Sequence, residues 1–531
     1  MMPRLRPDSV SRSCRAALAA LVLTGIAASP AWAHGGEIDW PQFQGGAAHP
    51  GVLSEGPPPP YRQLWRFTPG SAVSGAVITG ELAITVGTTA VYALDLATGD
   101  VVWQVPRDGG RPSIPAIGVI GDRQVLVYLE GPAGAENGDA SATPSASATG
   151  TPSSSTAPSA SASPVTSASA SPSEQSPSDG GTSDLVAIDL EDRSELWRVP
   201  LQGESHSGVT VDGDRAFVAD GKGYVYAFAL DTGAAAWPSP AQGIGRIESP
   251  VAVADGMVYA ASRDPDGQKS QVLALNEESG ERVWEFSPQV GAAAVSGLSV
   301  ADGMVVVGAA DRYVRALDAG SGDVKWQSLA LTLFSPASAP SFQPGNVFIG
   351  DASGGLYRID PADGSRDWGY QLNDLIVRSS PVVVGQDVLV GLNDGRLVAI
   401  DVESGDLVWQ SSKEPGLIGA VALSHDTVVA VKGGSDAGLV AFEHDPEGAL
   451  VRIPSPTVVD PAELFGRFAL ALVVTGLVIY VPFRLIRSRV GPAFANEEER
   501  VEGAEDEGGS AEDEDDDPGI DEATPTDEDR S

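Results

Sequence analysis

Short apolar runs of three to six residues, rich in Val, Ile, Leu and Ala and broken by Gly, Asp and Asn, recur along most of this 531-residue chain. The cleanest unit begins Pro381-Val382-Val383-Val384, turns at Gly385-Gln386, and continues from Asp387 to Leu392. After Asn393-Asp394-Gly395 come Leu397 to Ile400, a second turn over Asp401 to Gly405, and Leu407-Val408-Trp409. Runs of this composition bounded by turn residues are strand and hairpin signals. Each unit therefore predicts four short strands and no helix.

The units repeat. Trp65, Trp103, Trp197, Trp237, Trp284, Trp326, Trp368 and Trp409 are separated by 38, 94, 40, 47, 42, 42 and 41 residues. The 94-residue gap holds a Ser/Ala/Pro/Thr tract, Gly131 to Ser183, and removing its 53 residues leaves 41. Four strands at a period of about 40 to 45 residues is the signature of a β-propeller. The expected fold class is all-β, an eight-bladed β-propeller of four-stranded blades, plus one C-terminal transmembrane helix. Packing between neighbouring blades accounts for all eight indoles. Stacking on a cofactor would need an indole near the axis, and the outermost strand is far from it.

Turn chemistry explains the phrase before each Trp. Asp95, Asp189, Asp318, Asp360 and Asp401 lie eight residues ahead of it and can accept backbone N–H bonds in the turn. Gly99, Gly233, Gly280, Gly322, Gly364 and Gly405 lie four ahead and supply positive φ. Arg193 replaces that Gly in the second unit, and Ala229 replaces the Asp in the third. Eight sets of three inner strands follow Trp65, but the last, Gly419 to Phe442, has no Trp behind it and carries Arg452 at that place. The simplest ring completes the eighth blade with the N-terminal strand around Trp65. Residues 62–68 are thus expected to pair with the strand near 438–443.

The ends change the picture. Arg4, Arg6, Arg12 and Arg15, an apolar stretch from Ala16 to Ala28, and Ala31-Trp32-Ala33 make a secretory leader over 1–33. Cys14, the single cysteine, leaves with it, so no disulfide or thiolate metal site is expected. Residues 34–61 read as an N-terminal extension, 62–453 as the propeller, with 131–183 inserted in blade two, and 454–463 as a linker. Leu464 to Phe483 carries one charge, Arg467, and is followed by Arg484, Arg487 and Arg489. About 20 apolar residues suffice to cross a bilayer, and basic flanks face the cytoplasm. A transmembrane helix over 464–486 is expected, with the chain single-pass in the cytoplasmic membrane, the propeller outside and an acidic tail, 487–531, inside. That tail and the inserted tract bury too little apolar surface to fold. The formal charge of −39 argues against nucleic acid, which favours clustered Lys and Arg.

The unit Ser379 to Trp409, and the opening Asp39-Trp40-Pro41-Gln42-Phe43-Gln44-Gly45-Gly46, resemble the pyrroloquinoline-quinone-like (PQQ-like) β-propeller repeat family. The resemblance covers about residues 39–453. It implies one of two branches. Quinoprotein dehydrogenases hold the quinone at the axis with a stacking Trp, calcium and usually adjacent cysteines. The other branch, similar to the outer membrane assembly factor BamB, uses the ring as a scaffold without cofactor. The chain departs from the first in lacking mature cysteines and long active-site loops. It departs from the second in having an apolar span rather than a lipid anchor.

Chemistry-bearing patterns are sparse. The histidines, His34, His49, His206, His425 and His444, form no metal-binding spacing, and no phosphate loop or hydrolase elbow occurs. No catalytic, cofactor-binding or metal residues are expected, and PQQ with calcium enters only under the dehydrogenase alternative. A ligand face would lie where blade-to-blade connections surround the axis. Its candidates are His206, Arg246, Glu248, Asn373, Asp374 and Arg378, with Glu248 and Arg378 foremost because each precedes a Ser-Pro start. The expected function is a membrane-anchored, non-catalytic scaffold for an envelope protein or cell-wall polymer. The alternatives are a quinone-dependent dehydrogenase and, behind it, an extracytoplasmic sensor.

Overall fold

The computed structural model describes residues 39–131, 181–266, 269–288, 296–309, 311–329, 338–376 and 378–454. The inserted tract from 132 to 180, the leader, and everything from 455 onward lie outside the described residues, including the apolar run expected to span a membrane.

Among the described residues eight sheets form eight blades, antiparallel throughout except where Val52–Leu53 adds in parallel to the inner strand of blade 7. Blade 1 comprises Val77–Thr79, Leu82–Val86, Ala90–Asp95 and Val101–Pro106, and blades 2 to 7 follow in chain order with the same meander. Blade 8 is made from both ends. Ile418–Leu423, Thr427–Lys432 and Gly438–His444 supply three strands, and Tyr61–Phe67 supplies the fourth. The register runs from Tyr61 opposite His444 to Phe67 opposite Leu439. Residues 451–453 do not fill this place. They lie against the outer strand of blade 7, where Leu407 and Ile453 exchange backbone hydrogen bonds of 3.0 and 2.9 Å. There Arg452 approaches Asp401 and Asp406.

The period of the indoles has a direct structural cause. Six of the eight, Trp65, Trp197, Trp237, Trp284, Trp326 and Trp368, reach from the outer edge of one blade to the turn before the outer strand of the next. Trp284 Nε1 donates to the Ala319 carbonyl at 2.8 Å, Trp326 to Pro361 at 2.7 Å, and Trp368 to Val402 at 2.9 Å. Trp65 does the same to Leu96 at 2.8 Å, which joins blade 8 to blade 1. The turn glycine lies flat on the indole. A Cβ on Gly322, whose φ is +77°, would sit 2.6 Å from the Trp284 ring. Glycine is required here twice over, for positive φ and for contact. In blade 2 Arg193 holds this place at φ 64°, and Trp103, the indole that should dock there, is only partly buried.

The blade-to-blade connections and the second-to-third-strand loops share one face, here the upper face. The first-to-second and third-to-fourth turns share the lower face. Residues 40–53 run around the axis and pair with the inner strands of blades 1 to 7 in order. Trp40 pairs with Ile78, and Pro41 accepts from the Ile117 N–H at 2.8 Å. The Gln42 side chain both accepts from Val211 N–H and donates to its carbonyl. Ala47, Ala48, Pro50 and Gly51 accept from Val253, Val300, Phe342 and Val383 at 2.8, 2.9, 2.8 and 2.7 Å. Inner edges of blades present unpaired N–H groups, and this belt satisfies them. Sequence reading left it an extension because it has no apolar alternation of its own.

The belt buries Trp40, Gln42, Gln44 and His49. His49 Nδ1 donates to the Leu298 carbonyl at 3.0 Å, and burial outweighs that bond and lowers its pKa from about 6.5 to about 4. Above pH 6.5 the imidazole is neutral folded or unfolded and contributes no pH dependence. Between pH 6.5 and 4 the unfolded chain takes up a proton that the folded chain refuses.

Two outcomes are expected. Thermal melts of the full chain should show stability falling by about 3 kcal/mol between pH 6.5 and 4 from this group, and that part of the slope should vanish in His49→Gln. In denaturant titrations Gly322→Ala should lose roughly 2–4 kcal/mol by displacing Trp284. Arg193→Gly should gain up to about 1 kcal/mol by relieving the left-handed residue.

Candidate functional site

Two local devices hold the upper face. In four blades a serine just before the inner strand receives a backbone N–H from the end of the second strand, twelve residues on. Ser74 receives Val86, Ser207 receives Ala219, Ser296 receives Gly308 and Ser379 receives Gly391, at 3.1, 3.3, 3.0 and 2.8 Å. These bonds fix the connections that carry His206 and Arg378. The loops between second and third strands are held by buried carboxylates. Asp220 accepts the Lys222 and Tyr224 N–H groups and the Tyr226 hydroxyl at 2.9, 3.0 and 2.7 Å. Asp351 makes the same set with Ser353, Gly355 and Tyr357. Burial, with the facing carboxylate, raises the pKa of both tyrosines, so both hydroxyls stay protonated donors.

The six candidate residues fall into two groups. His206, Arg246 and Glu248 belong to the connections leading into blades 3 and 4. His206 Nε2 lies 3.5 Å from Glu204, Arg246 lies 3.8 Å from Glu248, and Arg263 binds Glu248 at 2.8 Å. Arg263 reaches this place because its N–H bonds the Arg246 carbonyl at 2.9 Å. Burial lowers the pKa of half-buried His206. Glu204 and Glu248 oppose the shift, while Arg111 and Arg246 add to it. The result is an exposed set of alternating charges around a neutral imidazole. Ser183, at the end of the inserted tract, accepts the Ser205 N–H at 2.9 Å, so that tract re-enters the ring beside His206.

Asn373, Asp374 and Arg378 lie on the connection between blades 6 and 7. Asn373 and Arg378 are exposed, and Asp374 caps the Leu375 N–H at 2.7 Å. Val377 between them is outside the described residues. Glu204, Arg111 and Arg263 complete the first group and were missed from sequence. Glu204 shares the loop of His206 and was legible by position. Arg263 ends a second strand, and no repeat position marks it.

At the hub, Trp40, Phe43 and Gln44 meet the starts of the inner strands of blades 7, 8, 1 and 2 around a cavity of about 10 Å³. That is room for about one water. A tricyclic quinone does not fit there, since sites for organic ligands run to roughly 300 Å³ or more. Among the described residues no group of three or more His, Cys, Asp or Glu is placed to hold a metal ion.

The family model described as outer membrane protein assembly factor BamB, built on the PQQ-like repeat, matches residues 181–299 and 267–446. These spans cover half of the chain, which belongs to this family. The outer membrane protein assembly factor BamB of Yersinia pestis is 27% identical over 274 residues, 45% of this chain and 66% of that protein. That of Bordetella pertussis is 25% identical over 293 residues, 51% of this chain and 73% of that protein. The chain thus spans about two thirds of the first relative's length. The crystal structure of quinohemoprotein alcohol dehydrogenase from Comamonas testosteroni matches with a TM-score of 0.56 at 13% identity, over 80% of this chain and 83% of that one. Identity that low shows the shared propeller alone.

One expectation is corrected here. The chain was placed as a single-pass protein of the cytoplasmic membrane with a cytoplasmic acidic tail. The two relatives above are outer membrane protein assembly factors, and no helix among the described residues is long and apolar enough to cross a membrane. The length of an apolar run states that a segment suits hydrocarbon, not which membrane holds the protein.

The His206 cluster gives a signed expectation. An imidazole titration by NMR should place His206 below the ordinary histidine value. Glu248→Gln should lower it further, and Arg246→Ala should raise it.

Proposed function

We propose, from membership of that family, that the chain is a non-catalytic scaffold exported to the envelope. There it would present the upper face of its propeller to a protein partner in the assembly of other envelope proteins. The observation that carries this reading is the filled hub. Residues 40–53 occupy the inner edges of seven blades, and a space of about 10 Å³ remains beside Trp40. The axis therefore serves rigidity, and what the ring offers a partner is its surface.

The upper face suits that role physically. His206, Glu204, Arg246, Glu248 and Arg263 are polar, exposed or half-buried, and held on a scaffold whose strands pair throughout. Alternating charges of this kind set orientation and association rate more than affinity. Asn373, Asp374 and Arg378 would extend the same surface on the other side of the axis. The leader 1–33, outside the described residues, enters the proposal as an export signal.

A photo-crosslinker placed at Arg246 or Asn373 in intact cells is expected to yield the same discrete protein adduct. Placed at Val283, exposed on an outer strand, it should yield none. Adducts from the rim alone, or no adduct from either upper-face position, would overturn the reading. Purified full chain incubated with PQQ and calcium and then dialysed should retain no quinone absorbance. Stoichiometric retention would favour a dehydrogenase instead.

A further inference from the structure

The seam between blades 7 and 8 departs from the repeat. Everywhere else an indole can dock on the turn joining the third and fourth strands of the next blade. In blade 8 those strands, Gly438–His444 and Tyr61–Phe67, come from opposite ends of the described chain, and no turn joins them. Trp409 instead packs edge-on against Tyr61 and Phe442, with ring centroids 5.0 and 6.0 Å apart. A cavity of about 190 Å³ opens above these rings, rimmed by Gln63, Gln410, Ser412 and Glu414. That is room for several waters.

The free hydrogen-bonding atoms of the rim define its chemistry. Glu414 accepts from Lys432 and Arg66, both at Oε2, so Oε1 is left as an acceptor. Lys432 is 2% exposed, which fixes this carboxylate in place. Burial opposes its ionisation, but the two cations prevail and hold its pKa below the usual carboxylate value. Gln410 and Gln63 accept from Arg396 and Arg66 through Oε1, which leaves both amide NH₂ groups as donors. The Ser412 hydroxyl completes the set. An anion would meet Glu414 Oε1 unfavourably, and an ammonium group would meet two amide donors. Hydroxyl groups, each both donor and acceptor, match all four. The aromatic floor suits the C–H face of a ring.

We propose that this seam cavity is a binding site for a single hexose ring, either a free sugar or the terminal residue of a glycan. The proposal does not depend on the scaffold reading, since the cavity lies between blade flanks and not on the His206 cluster.

Saturation-transfer NMR on the full chain with glucose, galactose and N-acetylglucosamine tests it. At least one should bind saturably, with a millimolar dissociation constant. Gln410→Ala should weaken that binding at least tenfold, and Ser412→Trp, which fills the cavity from an exposed position, should abolish it. Thermal melting checks that both variants remain folded. Equal binding of the sugar and of a linear oligosaccharide ending in it would assign a glycan terminus, and binding of the sugar alone would assign the free form. Absence of saturable binding by all three sugars would overturn the proposal. So would unchanged binding in a folded Ser412→Trp.

Discussion

The clasp between an indole and the neighbouring blade's turn is the contact on which the ring depends. A four-stranded blade is a small sheet with two apolar faces and cannot bury either alone. The Trp on its outer strand covers one flank, and its Nε1 ties that flank to the next blade's carbonyl. Burying an indole is worth roughly 3–5 kcal/mol by truncation and its hydrogen bond about 1 kcal/mol. Repeated at six of the blade junctions, this contact sets both the spacing of blades and the glycine that faces the indole.

The clasp also explains where the ring is irregular. At Arg193 a non-glycine residue takes the left-handed turn position, at φ 64°. At blade 8 the turn itself is missing, because the ring closes there by pairing strands from two ends of the sequence. Trp65 then carries the clasp onward to blade 1. A cavity lined by polar groups lies at that seam. Closure thus costs local packing and leaves a chemically distinct surface.

A second constraint acts at the hub. Eight inner edges converge on the axis, and their N–H groups need partners. The belt from Trp40 to Leu53 supplies them for blades 1 to 7, partly through backbone and partly through the Gln42 side chain. The same belt takes the space where an axial ligand would lie. A ring paired in this way is closed at its centre and carries its polar clusters on its upper face.

Much of the fold was legible in sequence for one reason: the apolar runs, the Asp and Gly turn positions and the period of the indoles are local, and each blade repeats them. Pairing of 61–67 with 438–444 followed from counting strands. Of the upper face, the sequence marked His206 and Glu248 by their place before an inner strand. It could not mark Arg263, which meets Glu248 only through the register of Arg246 and Arg263. Nor could it show that residues 40–53 line the hub, or that Gln63, Gln410 and Glu414 share a cavity. Local pattern determined the strands, the turns and their number, because those depend on neighbours in the chain. The belt, the seam and the charge cluster depend on residues hundreds of positions apart, and only closure of the ring brought them together.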